Sequence, residues 1–184
     1  VLFRSMDLTA IRNVLSSKDS SISQIEDALL ELMTTRFMKG QQHDATLLVG
    51  SCSDLLLKPQ YEATRMHTIC CLARLASLHA TISTDMQCSL PCMIVGQLNA
   101  EAEKGNANGV LICLTCLSAM CDYPSACMSM CNQTFHMDLV KLSSQYIDNS
   151  FIMEQISCIT MYFATMRTWI TFPEVLTLVK NLMS

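Results

Sequence analysis

The 184-residue chain is 51% apolar and only 15% charged, with a net charge of −4 at neutral pH, where a soluble domain ordinarily carries about 25% charged residues. It has no run of Lys or Arg, so it lacks the basic stripe that duplex nucleic acid needs for counterion release, and direct nucleic-acid binding is excluded. Eleven cysteines lie among Leu, Ile and Met, as small buried apolar residues do, which favours a reduced intracellular setting (cytoplasmic or nuclear) over a secreted disulfide scaffold.

"VLFRS" ahead of Met6 is too short for a signal peptide and reads as a vector-derived remnant, residues 1–5. Asp7–Ser17 then places Leu8, Ile11 and Leu15 on one helical face. After the polar link "SSKDSS", a longer helix is expected from Ile22 to Met38, closed by Gly40. Ser21 with Gln24, or Ser23 with Glu26, offers a capping box at its start. Asp44–Leu57 reads as a helix that stops before Pro59, because the residue preceding proline is driven out of helical geometry. Tyr61–Leu78 is expected as one long helix.

Pro91 is expected to open the next helix, since a first-turn proline gives up no needed hydrogen bond, and that helix should end near Glu103. "KGNANG" links it to Val110–Cys121. Helices over Pro124–Cys131, His136–Tyr146 and Phe151–Arg167 follow, and Pro173 opens a last one still running at Ser184. No segment alternates as a strand does between turn signals, so the class is all-α. The longest charge-free stretch, Gly105–Cys121, is too short in its apolar part to span a bilayer.

The helices repeat. Aligning Ala28, Cys71, Cys113 and Cys158 in "ALLELMTT", "CCLARLASL", "ICLTCLSAM" and the last long helix gives separations of 43, 42 and 45 residues. A period in that range points to stacked helical modules, each of which buries its apolar face only against its neighbours. "LTAIRNVLSSKDSSISQIEDALLELMTT", "LLVGSCSDLLLKPQYEATRMHTICCLARLASL" and "SLPCMIVGQLNAEAEKGNANGVLICLTCLSAM" resemble the armadillo repeat, a relative of the HEAT repeat. The resemblance implies a right-handed α-solenoid of about four short–medium–long helix triplets. Its units fall at about 6–40, 41–81, 82–121 and 122–168, with 169–184 beginning a further unit, all in a single domain over 6–184. Neither end carries an evidently polar outer face, and the last helix shows Val175, Leu176, Leu178, Val179 and Leu182. The expectation is that the chain continues in a longer protein or that its ends are covered.

In this family the long helices line a concave groove that docks peptides or helices, so the resemblance implies a non-catalytic protein–protein interaction domain, a scaffold or adaptor segment without a cofactor. Import-receptor members use Trp and Asn on successive long helices. The corresponding positions here are Asp27, Cys70, Ile112 and Ser157, then Glu31, Arg74, Cys116 and Met161. Neither Trp nor Asn occurs among them, so recognition of basic import signals in the usual manner is rejected. The expected groove is acidic at Asp27 and Glu31, basic at Arg74 and apolar at Ile112, Cys116 and Met161. Such a surface suits a partner with apolar anchors and a few charges. For Ile112 and Cys116 simple core packing is an equal alternative.

The chemical motifs are weaker. "CLTC" at Cys113–Cys116 lies inside the most apolar helix, where thiolates are not stabilised, and reads as packing. Cys121, Cys127, Cys131 and His136 surround a helix junction and form a loose zinc candidate whose spacing matches no established module, so packing is again favoured. None of the four histidines stands beside a nucleophile with an orienting carboxylate, and no phosphate-binding glycine loop is present. Catalysis is not expected. The fourteen methionines read as core filler or as an adaptable binding surface. Self-assembly, as a homodimer or against the rest of its own chain, is the alternative to docking, with a zinc-supported module behind it.

Overall fold

The structure is a computed structural model, described at residues 7–35, 37, 41–77, 84–132, 135–165, 178, 180 and 181. The described residues are helical and contain no strand. The chain divides into two compact units, Val1–Ser83 and Thr84–Ser184, a division between the second and third of the predicted repeats.

In the first unit, α1 (Leu8–Ser16) starts where the Asp7 carboxylate accepts from the Ala10 amide at 2.7 Å, satisfying one of the open donors of the first turn. α2 (Ile22–Thr34) carries the predicted Ser21–Gln24 capping box, with both reciprocal bonds made. Its inward face is Ile25, Ala28, Leu29 and Leu32, all fully buried. α2 ends four residues earlier than the sequence suggested. Thr34 and Thr35 donate their hydroxyls to the Glu31 carbonyl, and Thr35 is extended (φ −62, ψ 133). β-Branched hydroxyl residues that bond back to the preceding turn compete with helix continuation. Gly40, the expected terminator, lies outside the described residues.

α3 (Gln42–Leu57) stops at Lys58, which is extended ahead of Pro59 as the proline rule requires. The single long helix expected at Tyr61–Leu78 is divided. A 3-10 turn, Pro59–Thr64, precedes α4 (Arg65–Ser77), and Tyr61 is non-helical (φ −103, ψ 23). Pro59 opens the 3-10 turn, and Thr64 caps the Tyr61 carbonyl with its hydroxyl at 3.0 Å.

α1 packs on α2 and α3, and α4 packs on α2 and α3. α2 and α4 run parallel. Glu26 meets His67, the Leu29 carbonyl meets Cys71, and the Met33 carbonyl meets Arg74. These partners are 41, 42 and 41 positions apart in sequence.

In the second unit, α5 (Thr84–Glu103) is continuous through Pro91, so the proline does not open the helix as predicted. A proline inside a helix removes one ladder bond and pushes on the preceding turn. Here the Cys88 carbonyl in that turn accepts from the Ser129 hydroxyl at 2.8 Å and from the Cys92 thiol at 3.3 Å. α5 closes at Gly105, whose φ of +69 is the left-handed conformation that favours glycine. α6 (Ala107–Met120) begins at the Asn106 cap, which accepts from the Gly109 amide at 3.2 Å. Then come α7 (Pro124–Asn132), α8 (Phe135–Gln145) and α9 (Ser150–Thr165).

α6 packs on α5 and α9, and α5 packs on α7 and α8. Phe135 and Phe163 meet edge to face, 6.3 Å between centroids, both fully buried. The α5 line and the α7–α8 line are again parallel, Cys88 meeting Ser129 and the Ala102 carbonyl meeting Gln145 at 3.2 Å.

Rising helix lengths were expected in each triplet. Only α7, α8 and α9, at 9, 11 and 16 residues, follow that order. The second expected triplet runs 16, 6 and 13 residues, and α5 with α6 forms a pair of 20 and 14.

Candidate functional site

The six predicted groove residues fall three in each unit. In the first, Asp27 is exposed and Glu31 half-buried on α2, while Arg74 on α4 is half-buried. Arg74 is engaged within its own unit. Its two terminal guanidinium nitrogens donate to the carbonyls of Met33 and Thr35 at the end of α2, and its guanidinium carbon sits 5.9 Å from the Phe37 ring centroid. A cation over the last carbonyls of a helix satisfies open acceptors and the negative end of the dipole together. Arg74 therefore closes α2.

Next to it, Cys71 donates its thiol to the Leu29 carbonyl at 3.3 Å. Burial and the neighbouring Cys70 push that thiol up to about 12, against a smaller pull from Arg74. Beyond lies His67, whose Nδ1 is 3.6 Å from the Glu26 carboxylate. The outer side of α2 thus presents Glu26, Asp27 and Glu31 beside Ile22 and Leu30, which are 46% and 44% exposed.

In the second unit, Ile112 is half-buried, Cys116 is fully buried and Met161 is 68% exposed. Cys116 belongs to the core of α6 with Cys113, Leu114 and Leu117, and its thiol has no surface to offer a partner. For this position the core alternative describes its place. Beside Met161, Tyr162 donates its hydroxyl to the Asp122 carboxylate at 2.6 Å. That bond, followed by burial and the Asp122 charge, pushes the phenol up to about 12. Tyr162 and Asp122 escaped the sequence reading because they are 40 positions apart and neither belongs to a recognisable motif. The repeat period was the one signal that could have paired them.

Of the zinc candidates, Cys121, Cys127 and Cys131 lie near one another. Among the described residues no three His, Cys, Asp or Glu side chains come together as a metal would need. Cys121 and Cys127 share a thiol–thiol hydrogen bond that pushes Cys121 up and Cys127 down, burial adding to the first shift and opposing the second. Burial, with Cys127 nearby, pushes Cys131 up to about 11. His136 is buried at the start of α8. All eleven cysteines are unbridged, and the "CLTC" pair is buried, as its place in α6 suggested.

A second polar cluster joins α5 to α6. The Glu101 carboxylate is 4% exposed and accepts from Asn106 Nδ2 at 2.6 Å, Gln97 Nε2 at 2.8 Å and Lys104 Nζ at 3.1 Å. Burial pushes its pKa up, but the bonds from Lys104, Asn106 and Gln97 and the Lys104 charge together outweigh this and hold it below the ordinary value. A Cβ on Gly109 would stand 2.5 Å from Glu101 Oε2, so glycine is required there for close approach. The carboxylate has its hydrogen bonds inside the unit and serves the α5–α6 junction.

Among the described residues no helix is long and apolar enough to cross a membrane. Comparison of the chain with family models, with curated proteins and with solved structures gives no match.

Proposed function

We propose that this chain is a helical-repeat docking domain, an armadillo-like scaffold or adaptor segment that binds a protein partner on its long helices without catalysis. The observation that carries the reading is the recurring offset, near forty residues, of its cross-helix bonds. Ser16–Ser51, Leu29–Cys71, Met33–Arg74, Cys88–Ser129, Ala102–Gln145 and Asp122–Tyr162 are 35 to 43 residues apart. Consecutive forty-residue modules laid side by side make such pairs, whereas a single closed bundle has no reason to repeat one offset. The offset supports the solenoid and, with it, an exposed face repeated along the array.

Two patches are the candidate contact points. One is Ile22 and Leu30 framed by Asp27 and Glu31 on α2. The other is Ile112, Met161 and Tyr162 on α6 and α9. Partners of such faces bring apolar anchors and a few charges. The location that accompanies this proposal is the cytoplasm or nucleus.

The test is affinity capture followed by cross-linking mass spectrometry, with Met161→Asp and the double variant Asp27→Lys/Glu31→Lys compared with the wild-type chain. All three should melt alike. Docking predicts a partner cross-linked beside α2 or α9 and lost in the matching variant. If sedimentation instead gives a stable dimer that Met161→Asp splits, the self-assembly reading replaces it. Unchanged capture in both variants overturns both patches.

A further inference from the structure

Cys121 caps the end of α6, and Cys127 follows six positions later in the first turns of α7. Between them the chain makes one tight turn. The Tyr123 amide donates to the Met120 carbonyl at 3.0 Å, and the Cys127 amide donates to the Tyr123 carbonyl at 3.1 Å. That turn brings the two sulfurs together. They share a thiol–thiol hydrogen bond, and the two residues are 5% and 2% exposed. The pair lies just under the surface, because Asp122 and Pro124 between its members are exposed.

The two sulfurs are not equivalent. In their shared bond Cys121 donates and Cys127 accepts, which draws Cys127 toward its thiolate and keeps Cys121 a thiol. Burial opposes the first effect and adds to the second. A thiolate is the form that attacks an oxidant, and an adjacent thiol converts the oxidised product to a disulfide. Cys131, four positions further along α7, is half-buried and near Cys127. Helical spacing sets their Cβ atoms about 5–6 Å apart, whereas a disulfide needs about 3.8 Å. Cys121 approaches across a turn and is free of that limit.

We propose that Cys121 and Cys127 are a peroxide-responsive thiol pair, closing to a disulfide that locks the α6–α7 turn and reopening with a small thiol. The Cys127 thiolate attacks one oxygen of hydrogen peroxide. An S–O bond forms, the O–O bond breaks, and the departing hydroxide takes up the proton that Cys127 released. The Cys121 sulfur then attacks the Cys127 sulfenic acid. The S–S bond forms, the S–O bond breaks, and the leaving oxygen departs as water with the Cys121 proton. Two thiols and one peroxide thus give one disulfide and two waters, each sulfur losing one electron and the peroxide gaining both. The closed loop carries Asp122, the acceptor of the Tyr162 hydroxyl at 2.6 Å, so the lock also bears on α9.

The test exposes the full 184-residue chain to hydrogen peroxide over a time course and then alkylates the remaining thiols in denaturant. Cleavage before Asp122 puts Cys121 and Cys127 on separate fragments for mass spectrometry. The expected result is a Cys121–Cys127 link that dithiothreitol reverses. It should form about tenfold or more faster in the folded chain than in urea, since the fold holds the pair in contact. Cys131→Ser should form the link as the parent chain does. Cys121→Ser should stop at a Cys127 sulfenic acid that dimedone traps, and Cys127→Ser should give neither the link nor an adduct at Cys121. Circular dichroism checks that each variant is folded, and alanine serves at any position where serine disturbs the turn. The comparison of folded and urea-treated parent chain stands without any variant. Free thiols at 121 and 127 after the exposed Cys88 and Cys92 have oxidised overturn the proposal. So does a link that forms no faster in the folded chain, or one that joins Cys127 to Cys131 instead.

Discussion

The Cys71 thiol reaches the Leu29 carbonyl at 3.3 Å, across two parallel helices and 42 positions of sequence. The aligned copies of the long helix in the sequence are separated by 42 to 45 residues, so one residue of one copy meets nearly the same place in the next. Repetition in sequence thus becomes a ladder of lateral contacts within each unit.

Arg74 reads as a groove residue in the sequence, but its contacts make it the closing cap of α2. Arg74→Ala leaves the Met33 and Thr35 carbonyls without their charged donor and should lower unfolding stability by about 1.5–3 kcal/mol in urea titration. Arg74→Lys should recover only part, because an ammonium cannot bridge two carbonyls as a planar fork does. An unchanged midpoint in Arg74→Ala would return this residue to the list of docking candidates.

The Glu101 cluster sets an acid limit. Its folded pKa is lowered from an ordinary 4.5, so the stability it contributes is present above that value and is lost as pH falls through the lower folded one. Glu101→Gln should be less stable than the parent chain at neutral pH, and the gap should narrow as the pH falls below the ordinary carboxylate value of 4.5. Chemical denaturation across that range reads it directly, and parallel curves would remove Glu101 as the cause.

Gly109 is under a steric demand at the same junction. Alanine is the better helix former by about 1 kcal/mol, yet its Cβ would press on Glu101 Oε2 and on Asn106 Nδ2 at 2.5 and 2.8 Å. Gly109→Ala should therefore destabilise, by about 1–3 kcal/mol. A rise in melting temperature would mean that the carboxylate can move aside without cost.

Thiol reactivity maps the fold. Cys88 and Cys92 are exposed, whereas Cys52, Cys71, Cys113 and Cys116 are fully buried, and burial raises Cys52 and Cys71 further from their thiolate forms. Alkylation of the native chain followed by peptide mapping should label Cys88 and Cys92 first, and the four buried thiols only on unfolding. Early labelling of Cys71 or Cys113 would contradict the packing of α4 or α6.

Core and surface exchange roles at one further position. Leu178 reads as part of a bare apolar end, but it is fully buried. Leu178→Ala should cost about 2–5 kcal/mol, as should the same change at Leu29, Leu75 and Leu114, which are also fully buried. A change below about 1 kcal/mol at Leu178, in a chain shown by sedimentation to dissociate, would restore it to an interface.

Much of the helix content was legible because local signals decide it: the capping box at Ser21, the stop before Pro59 and the Asn106–Gly109 link each act over three or four residues. The errors lie where tertiary contacts override local rules. Pro91 sits inside α5, where Ser129, 38 residues later in the chain, donates to the Cys88 carbonyl of the turn before it. α2 ends early where the Thr34–Thr35 pair bonds back and Arg74 takes the last carbonyls. For the groove, exposure at Asp27 and Met161 follows from helical periodicity. The burial of Cys116 and the engagement of Arg74 depend on which neighbour covers each face, and periodicity does not specify that neighbour.

The parallel, forty-odd-residue ladder is the claim on which the docking proposal stands, and a NOESY spectrum of the isotopically labelled chain tests it most directly. Cross-peaks should join Glu26 to His67 and Leu29 to Cys71 in the first unit, and Asp122 to Tyr162 in the second. Cross-peaks that pair the start of α2 with the end of α4, as antiparallel helices demand, would contradict it.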